Sequence, residues 1–159
     1  MAKDYTYRNL ILWQRAQTLA LQVIQLVQRL PNNWGTAVVA RQIIAAATSV
    51  SANIAEGHAR FTLGAHRNHL SIAKGSAAET DSWLDLLRRL GHLSDEEEGS
   101  LHSEYLWVMD SLTSKILDLE HYEQQKRGPI KESREVYRPA ENTDDQPTPI
   151  RPFVDNDYL

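Results

Sequence analysis

The sequence predicts an all-α protein, an antiparallel up-down-up-down four-helix bundle followed by a disordered C-terminal tail. In four long stretches, apolar residues recur at spacings of three and four, as they do on helices that bury one face. Short segments join the stretches, and the first and third of these segments contain Pro, Gly or Asn. Short connections favour antiparallel neighbours. No alternating strand pattern competes with them, so the sequence excludes a parallel sheet or a barrel.

The first predicted helix runs from about Arg8 to Leu30, and Pro31 stops it because proline cannot continue a helix. The second runs from about Thr36 to His58 and is crowded with Ala and Ser. Small side chains let a neighbouring helix approach closely. The residues expected to face inward are Trp13, Ala16, Ala20, Val23, Val27 and Leu30 on the first helix, and Val39, Ile43, Ala46, Val50 and Ile54 on the second.

The third predicted helix runs from about Leu63 to Leu90, and Gly91 supplies the left-handed residue that ends it. The fourth begins after Ser94, which forms a capping box with Glu97, and continues to about Gln125. The residues expected to face inward are Leu70, Ala73, Ala77, Leu84 and Leu87 on the third helix, and Leu101, Tyr105, Val108, Leu112, Ile116 and Leu119 on the fourth.

The 159 residues predict one folded domain, the bundle at 1–127, and a flexible tail at 128–159. The tail is rich in Pro and charge and poor in apolar residues, so it cannot bury enough surface to order itself. Its last residues include Phe153, Val154, Tyr158 and Leu159. They form either a short docking peptide or an uneventful end of the chain.

Composition sets the expected compartment. The chain has no cysteine, which excludes disulfides, thiolate metal sites and cysteine nucleophiles and fits a reducing environment. The first residues are charged where a signal peptide needs an apolar core, and no apolar run approaches the roughly 18 residues of a membrane span. We therefore expect a cytoplasmic protein with no membrane partner.

The sequence gives little support for catalysis. Di-iron sites in helix bundles need Glu-x-x-His pairs, and this chain has none. It also has no glycine-rich phosphate loop. His66 and His69 lie one turn apart and could share a metal with Glu56 or His58, but such histidines are usually polar surface. We predict no enzyme activity, no metal, no cofactor and no small-molecule substrate.

Polar residues interrupt the apolar face of the second predicted helix. Asn53 and Glu56 follow core position Val50 at intervals of three, so both approach the interface between helices. Ser76 and Glu79 on the third helix are the expected partners. A polar network of these four residues can fix register and oligomeric state; a ligand site is the alternative.

Charge is distributed unevenly along the chain, whose net charge is −4. Residues 1–78 carry eight Lys or Arg against two acids, whereas residues 79–127 carry five against twelve. Five basic residues form a hypothetical strip that contacts nucleic acid, although Asp81 and Asp85 interrupt it, and solvated helix faces are the alternative. The five are Arg41, Arg60, Arg67, Lys74 and Arg88.

Two tryptophans lie beside the apolar stripes of their helices. Trp83 flanks the third stripe, and Trp107 shares a face with polar residues on the fourth helix. Exposed tryptophans are common anchors of protein interfaces. They mark an interface here, or they fill a core wider than the stripes indicate.

Several segments together resemble a known family. They are LILWQRA around Trp13, Leu30-Pro31, Arg41-Gln42 followed by AAATSVSANIAEGHAR, and LSIAKGSAAETDSWL. The combination resembles bacterial proteins encoded in intervening sequences of 23S ribosomal RNA genes, whose relatives include the accessory variability determinants of diversity-generating retroelements. The resemblance covers about Tyr7 to Tyr122.

This resemblance implies a homopentamer of four-helix bundles with no known catalytic activity. In the retroelement relatives, the pentamer binds the reverse transcriptase and its RNA through basic surface. Asn53, Glu56, Gly57, Ser76 and Glu79 match shared positions of the family, which implies a structural role. We therefore expect a self-assembling accessory protein whose partner is RNA, DNA or a reverse transcriptase. The alternative is a protein-only adaptor that presents its tail for docking.

Overall fold

A computed structural model describes residues 6–127, which fold as an antiparallel four-helix bundle. A short 3-10 turn at Tyr7–Asn9 precedes α1 (Ile11–Val27), α2 (Trp34–His58), α3 (Leu63–Arg89) and α4 (Asp95–Arg127). Each helix packs against the next along the chain, and α4 packs back on α1. The predicted fold class is confirmed; the predicted tail at 128–159 lies outside the described residues.

Two predicted helix ends, at Gly91 and Ser94, agree with the structure, and one capped end differs from the prediction. Ser94 accepts from the Glu97 amide at 3.1 Å, and the Glu97 carboxylate accepts from the Ser94 amide at 3.1 Å, which forms the predicted capping box. Gly91 adopts a φ of +75° after α3, as predicted. The start of α2 at Trp34 is earlier than predicted because Asn33 caps it, accepting from the Thr36 amide at 3.1 Å.

Helix α1 is shorter at both ends than the periodicity predicted. Residues Tyr7–Asn9 form the 3-10 turn, and Leu10 adopts an extended conformation before α1 begins. At the other end the chain leaves the helix in tight turns, with the Leu30 amide donating to the Val27 carbonyl at 3.1 Å. Leu10 and Leu30, which lie just outside α1, still pack against the edge of the core, so the apolar spacing there reflects packing rather than helix.

The core is built from the faces that the sequence assigned to it. Every residue predicted to face inward on α2 and α3 is buried. On α1 and α4 the central residues are buried, whereas Trp13, Val27, Leu30, Leu101, Ile116 and Leu119 are half-buried at the edge of the core. Two residues absent from the predicted stripe of α1, Leu19 and Leu26, are also buried, because that helix presents a broader face to the core.

Helix α2 is apolar over more of its surface than the core uses. Only 39% of its most apolar stretch is buried, and Trp34, Val38, Ala45 and Ala52 are exposed. By length and composition alone, α2 could cross a membrane, contrary to our expectation that no stretch qualifies. Core helices of soluble proteins satisfy the same criterion, so this property by itself assigns no location.

Candidate functional site

A row of hydrogen bonds crosses the interface between α2 and α3. The Ser76 hydroxyl donates to Ser49 Oγ at 2.9 Å. The side-chain amide of Asn53 donates to the same oxygen at 3.0 Å and to the Ser49 carbonyl at 2.9 Å. His69 Nδ1 lies 3.2 Å from Asn53 Oδ1. Four polar side chains of two helices are thereby joined, and we call this set the seam network.

The outer end of the seam network determines the tautomer of His69. Arg60 Nε donates to His69 Nε2 at 3.1 Å, and a guanidinium can only donate. His69 Nε2 must therefore accept, so its proton lies on Nδ1 and is donated to Asn53 Oδ1. Glu56 pairs with Arg60 and lies 3.7 Å from His69 Nε2. The hydrogen bonds consequently run in one consistent direction from Arg60 to Ser49.

Gly57 lets the two helices meet at this end of the bundle. A Cβ placed on Gly57 would lie 3.0 Å from His69 Cβ, 3.2 Å from a ring carbon of His66 and 3.2 Å from the His66 carbonyl oxygen. Gly57 is buried and helical, so the close approach of α3 requires glycine here, not an unusual φ. The glycine therefore sets the distance at which His69 reaches Asn53.

The structure brings together some of the residues predicted to form a polar network. Asn53 and Ser76 meet through Ser49, and Glu56 approaches the same group through Arg60 and His69. Glu79 is exposed and lies apart from it, accepting from Trp83 Nε1 at 3.4 Å. The sequence reasoning missed Ser49 as a network member, although its spacing of four from Asn53 is a local signal for such a contact.

A histidine group surrounds the first turn of α3. His66 is half-buried, and its pKa is lowered mainly by burial and further by the charges of His58, Lys115 and His69. This is where the sequence offered a possible metal site with Glu56. In the structure, His69 instead uses both ring nitrogens for hydrogen bonds within the chain.

The five basic residues predicted to contact nucleic acid differ in their availability. Arg60 pairs with Glu56, and Arg67 pairs with Glu123 at 3.0 Å. Arg41 and Lys74 are exposed, and neither forms an ion pair with a residue of the described chain.

Arg88 is the most heavily engaged of the five. It contacts Asp85 at 2.7 Å and Asp95 at 3.2 Å, and its Nε lies 4.0 Å from Glu98. Hydrogen bonds from Arg88 and Arg89 hold the pKa of Asp85 below its usual value. A nucleic acid would have to compete with these carboxylates for Arg88.

The two tryptophans proposed as interface anchors have contacts within the chain. Trp83 is half-buried and packs against the core. Trp107 is 37% exposed, with the Arg15 guanidinium 3.9 Å from its ring centroid, a cation–π contact. Arg15 also lies 3.6 Å from Glu104. Trp107 is thus the more accessible of the two, although Arg15 already covers one face of its ring.

Surface clefts open away from the seam network. Clefts of about 550 and 510 Å³ lie between α1 and α4, bordered by Arg29 and Glu97 in one case and by Arg15 and Glu104 in the other. A cleft of about 380 Å³ lies between α1 and α2. The seam network is therefore a packed interface, and the accessible concave surface lies along α1.

The family model for 23S rRNA-intervening sequence proteins matches residues 8–114. This match spans α1, α2, α3 and most of α4, and it contains the whole seam network. The chain belongs to this family. The retroelement relatives named by the resemblance are a finer relationship that this match does not address.

A crystal structure from the S23 ribosomal protein family resembles this 23S rRNA-intervening sequence protein. It is described as a protein with unknown function from Bacteroides thetaiotaomicron VPI-5482. The identity is 28%, the TM-score is 0.63, and the similarity covers 67% of this chain and 98% of the other. No curated protein matches the chain. The family and the fold are thus established together, without an activity.

Proposed function

We propose that the protein is a non-catalytic cytoplasmic scaffold that assembles with copies of itself, as a homopentamer if it follows the family resemblance. The exposed apolar surface of α2 carries this proposal. A helix that is apolar on more than one face is normally covered on each, yet the single chain covers 39% of the most apolar stretch of α2. A second copy of the chain supplies the missing cover.

The surface beside α2 suits packing between copies because small and large apolar residues alternate on it. Ala52 and Ala55 line the cleft between α1 and α2 together with Leu21 and Ile24. Leu21 is 54% exposed. Small residues leave a depression that a large apolar side chain of another copy can fill, which buries apolar area on both.

Light scattering after size exclusion tests this assembly. We expect the full chain to elute as an oligomer at micromolar concentration, and Ala45→Glu and Ala52→Glu to give folded chains of lower mass, because each introduces a charge on the exposed face of α2. Ala78→Glu, at an exposed position of α3, is the matched control. A wild-type monomer, or dissociation caused only by the control, contradicts the proposal.

We further propose that the assembled scaffold binds RNA, DNA or an enzyme that acts on them, such as a reverse transcriptase with its RNA. Membership in a family named for 23S rRNA intervening sequences supports a nucleic-acid setting. The exposed cations Arg41 and Lys74 support direct contact, and assembly would multiply them.

Fluorescence anisotropy with a structured RNA tests direct contact. Affinity should fall steeply between 50 and 200 mM salt, and it should fall further in Arg41→Glu and Lys74→Glu. Lys126→Glu, an exposed cation near the end of α4, is the control. An RNA affinity that stays unchanged with added salt and in both variants would contradict contact with the phosphate backbone.

A protein-only adaptor is the second candidate. The ion pairs that engage Arg60, Arg67 and Arg88 favour it, because they leave few cations for phosphate. In this case, the tail after Arg127 docks onto a partner, and assembly raises its avidity. Deleting residues 128–159 should abolish partner capture and leave the oligomer intact; unchanged capture contradicts the adaptor.

A further inference from the structure

Three potential metal ligands meet between α3 and α4. They are Asp81 of α3 and Glu98 and His102 of α4, and one ligand atom from each lies within 4.8 Å of the others. His102 Nδ1 already lies 2.7 Å from Asp81 Oδ1. All three residues are half-buried, and the side chains of Glu98 and Asp81 are 18% and 23% exposed. The group is therefore partly shielded from solvent and is preformed by the packing of two helices.

The fold explains why these residues converge. Glu98 and His102 are four apart, so they project from the same face of α4. Asp81 lies on the facing side of α3, where the antiparallel packing brings it to His102. The backbones of both helices are fixed by the core residues Leu84 and Tyr105. A metal ion bound here would order only side chains, and most of the entropic cost of assembling the ligands is met by folding.

The ligand types favour a divalent ion of intermediate softness, such as Zn²⁺. Imidazole nitrogen and carboxylate oxygen are both ligand types that Zn²⁺ accepts, and three such ligands leave a fourth position for water. The two carboxylates carry a local negative charge, and Arg88 offsets it only in part because its Nε is 4.0 Å from Glu98 while other carboxylates hold its remaining nitrogens. Mg²⁺ prefers an all-oxygen shell, so the imidazole disfavours it.

A buried polar group lies in the same interface. Tyr105 follows His102 by three residues and is 1% exposed. Its hydroxyl makes no well-aligned hydrogen bond within the described chain. The neighbouring Thr80 hydroxyl donates to the Ser76 carbonyl at 2.8 Å, and its oxygen can still accept from the Tyr105 hydroxyl. Burial raises the pKa of Tyr105, the contact with Thr80 opposes this increase, and the charge of Asp81 adds to it. The Tyr105 hydroxyl is therefore a buried polar group near the Asp81 carboxylate.

We propose that Asp81, Glu98 and His102 form a binding site for a divalent ion of the zinc class, which links α3 to α4. The site is independent of the assembly and partners proposed above. With water in its remaining position, the ion would join α3 to α4 through three side chains.

Zinc titration of the full chain tests the site. After removal of metals with a chelator, isothermal titration with ZnCl₂ should give one equivalent per chain, and the melting temperature should rise with zinc concentration because the ion binds the folded state. His102→Gln and Asp81→Asn should each weaken binding by about tenfold or more, since the loss of a direct ligand costs at least as much as the loss of a supporting contact. MgCl₂ should produce no comparable shift.

Matched variants separate this site from the other histidines. His121→Gln, on the exposed surface of α4, and His66→Gln, in the histidine group of α3, should bind zinc as the wild type does. In wild-type protein, the ring resonances of His102 should shift first during the titration, which gives a readout that does not depend on whether variants fold. Absence of saturable zinc binding, retention of full affinity in both ligand variants, or first shifts at His66 would overturn the proposal.

Discussion

The α2–α3 interface and the α1–α4 interface show two ways of joining helices in one bundle. Between α2 and α3, small residues and Gly57 bring the backbones close, and the seam network links the helices through short side chains. Between α1 and α4, clefts remain, and the polar links are exposed ion pairs of long side chains, Arg29 with Glu97 and Arg15 with Glu104.

The contrast shows that apolar periodicity alone does not determine how tightly two helices close. All four helices carry an apolar face, and all contribute to one core. Residues at the flanks of that face decide the difference, because Ser, Ala and Gly allow contact where Gln, Arg and Glu hold the backbones apart. We therefore expect substitutions to cost most at the α2–α3 interface and least at the α1–α4 interface.

The largest effect is expected at Gly57. Gly57→Ala should lower the free energy of unfolding by about 2 kcal/mol, because the added Cβ meets His69 and the His66 carbonyl in a packed interface. Urea denaturation measures this loss. The matched substitution is Gly75→Ala on α3, where an added Cβ has nothing within 4 Å; it should raise stability by about 0.5–1 kcal/mol through helix propensity. Equal changes in the free energy of unfolding for both substitutions would show that the close contact at Gly57 leaves room for a Cβ.

The second effect concerns the seam network itself. Asn53→Ala should cost about 1.5 kcal/mol because it removes two hydrogen bonds to Ser49 and leaves the His69 Nδ1 proton without its acceptor. A double-mutant cycle with His69→Ala should give a coupling energy of about 0.5 kcal/mol or more. Asn68→Ala, at an exposed position of α3, is the control and should be nearly neutral. Strict additivity of Asn53→Ala and His69→Ala would mean that their contact contributes nothing.

The sequence predicted the helices and their inner faces because both depend on local spacing. The capping box at Ser94 and the stop at Gly91 involve residues within one or two turns of each other, and the structure contains both. Contacts between helices were harder to predict. His69 meets Asn53 from 16 positions away, and only the register of α3 against α2 makes that pairing possible.

The same limit applies to the charged residues. A repeat of seven puts Arg67, Lys74 and Arg88 along one edge of α3. The pairing of Arg67 and of Arg88 depends on acids that α4 brings near, Glu123 and Asp95. The sequence indicates Asp81 as an interruption of that strip, and the structure places it against His102. Glu79 was assigned to the polar network from its helix position alone, and Trp83 four residues later provides its contact.

A small effect is expected for the ion pairs of the open interface. Arg29→Ala should change the free energy of unfolding by about 0.5 kcal/mol or less, because Arg29 and Glu97 are 64% and 43% exposed and solvent screens their attraction. Added salt should reduce even this difference. A loss above about 1 kcal/mol would mean that substitutions at the α1–α4 interface cost as much as those at the α2–α3 interface, which would contradict the difference between them.

The smallest effect is expected in the pH dependence, which compares the histidines of two interfaces. Burial, then His58, Lys115 and His69, lower the pKa of His66. The hydrogen bond that His102 donates to Asp81, with the charges of Asp81 and Glu98, raises the pKa of His102 against a smaller opposing effect of burial. Below the ordinary value of about 6.5, the unfolded chain protonates at residue 66 before the folded chain does, so stability should fall as pH falls.

Above about 6.5 the sign reverses, because the unfolded chain loses the proton of residue 102 while the folded chain keeps it, so stability should fall as pH rises through the folded pKa of His102. The two histidines together should therefore favour a maximum near pH 6.5 in metal-free protein. Thermal melts from pH 5.5 to 8 check this prediction. His66→Gln should reduce the fall in melting temperature below pH 6.5, and Asp81→Asn should reduce the fall above pH 6.5. If Asp81→Asn left the basic side unchanged, the hydrogen bond to His102 would not contribute to holding α3 against α4.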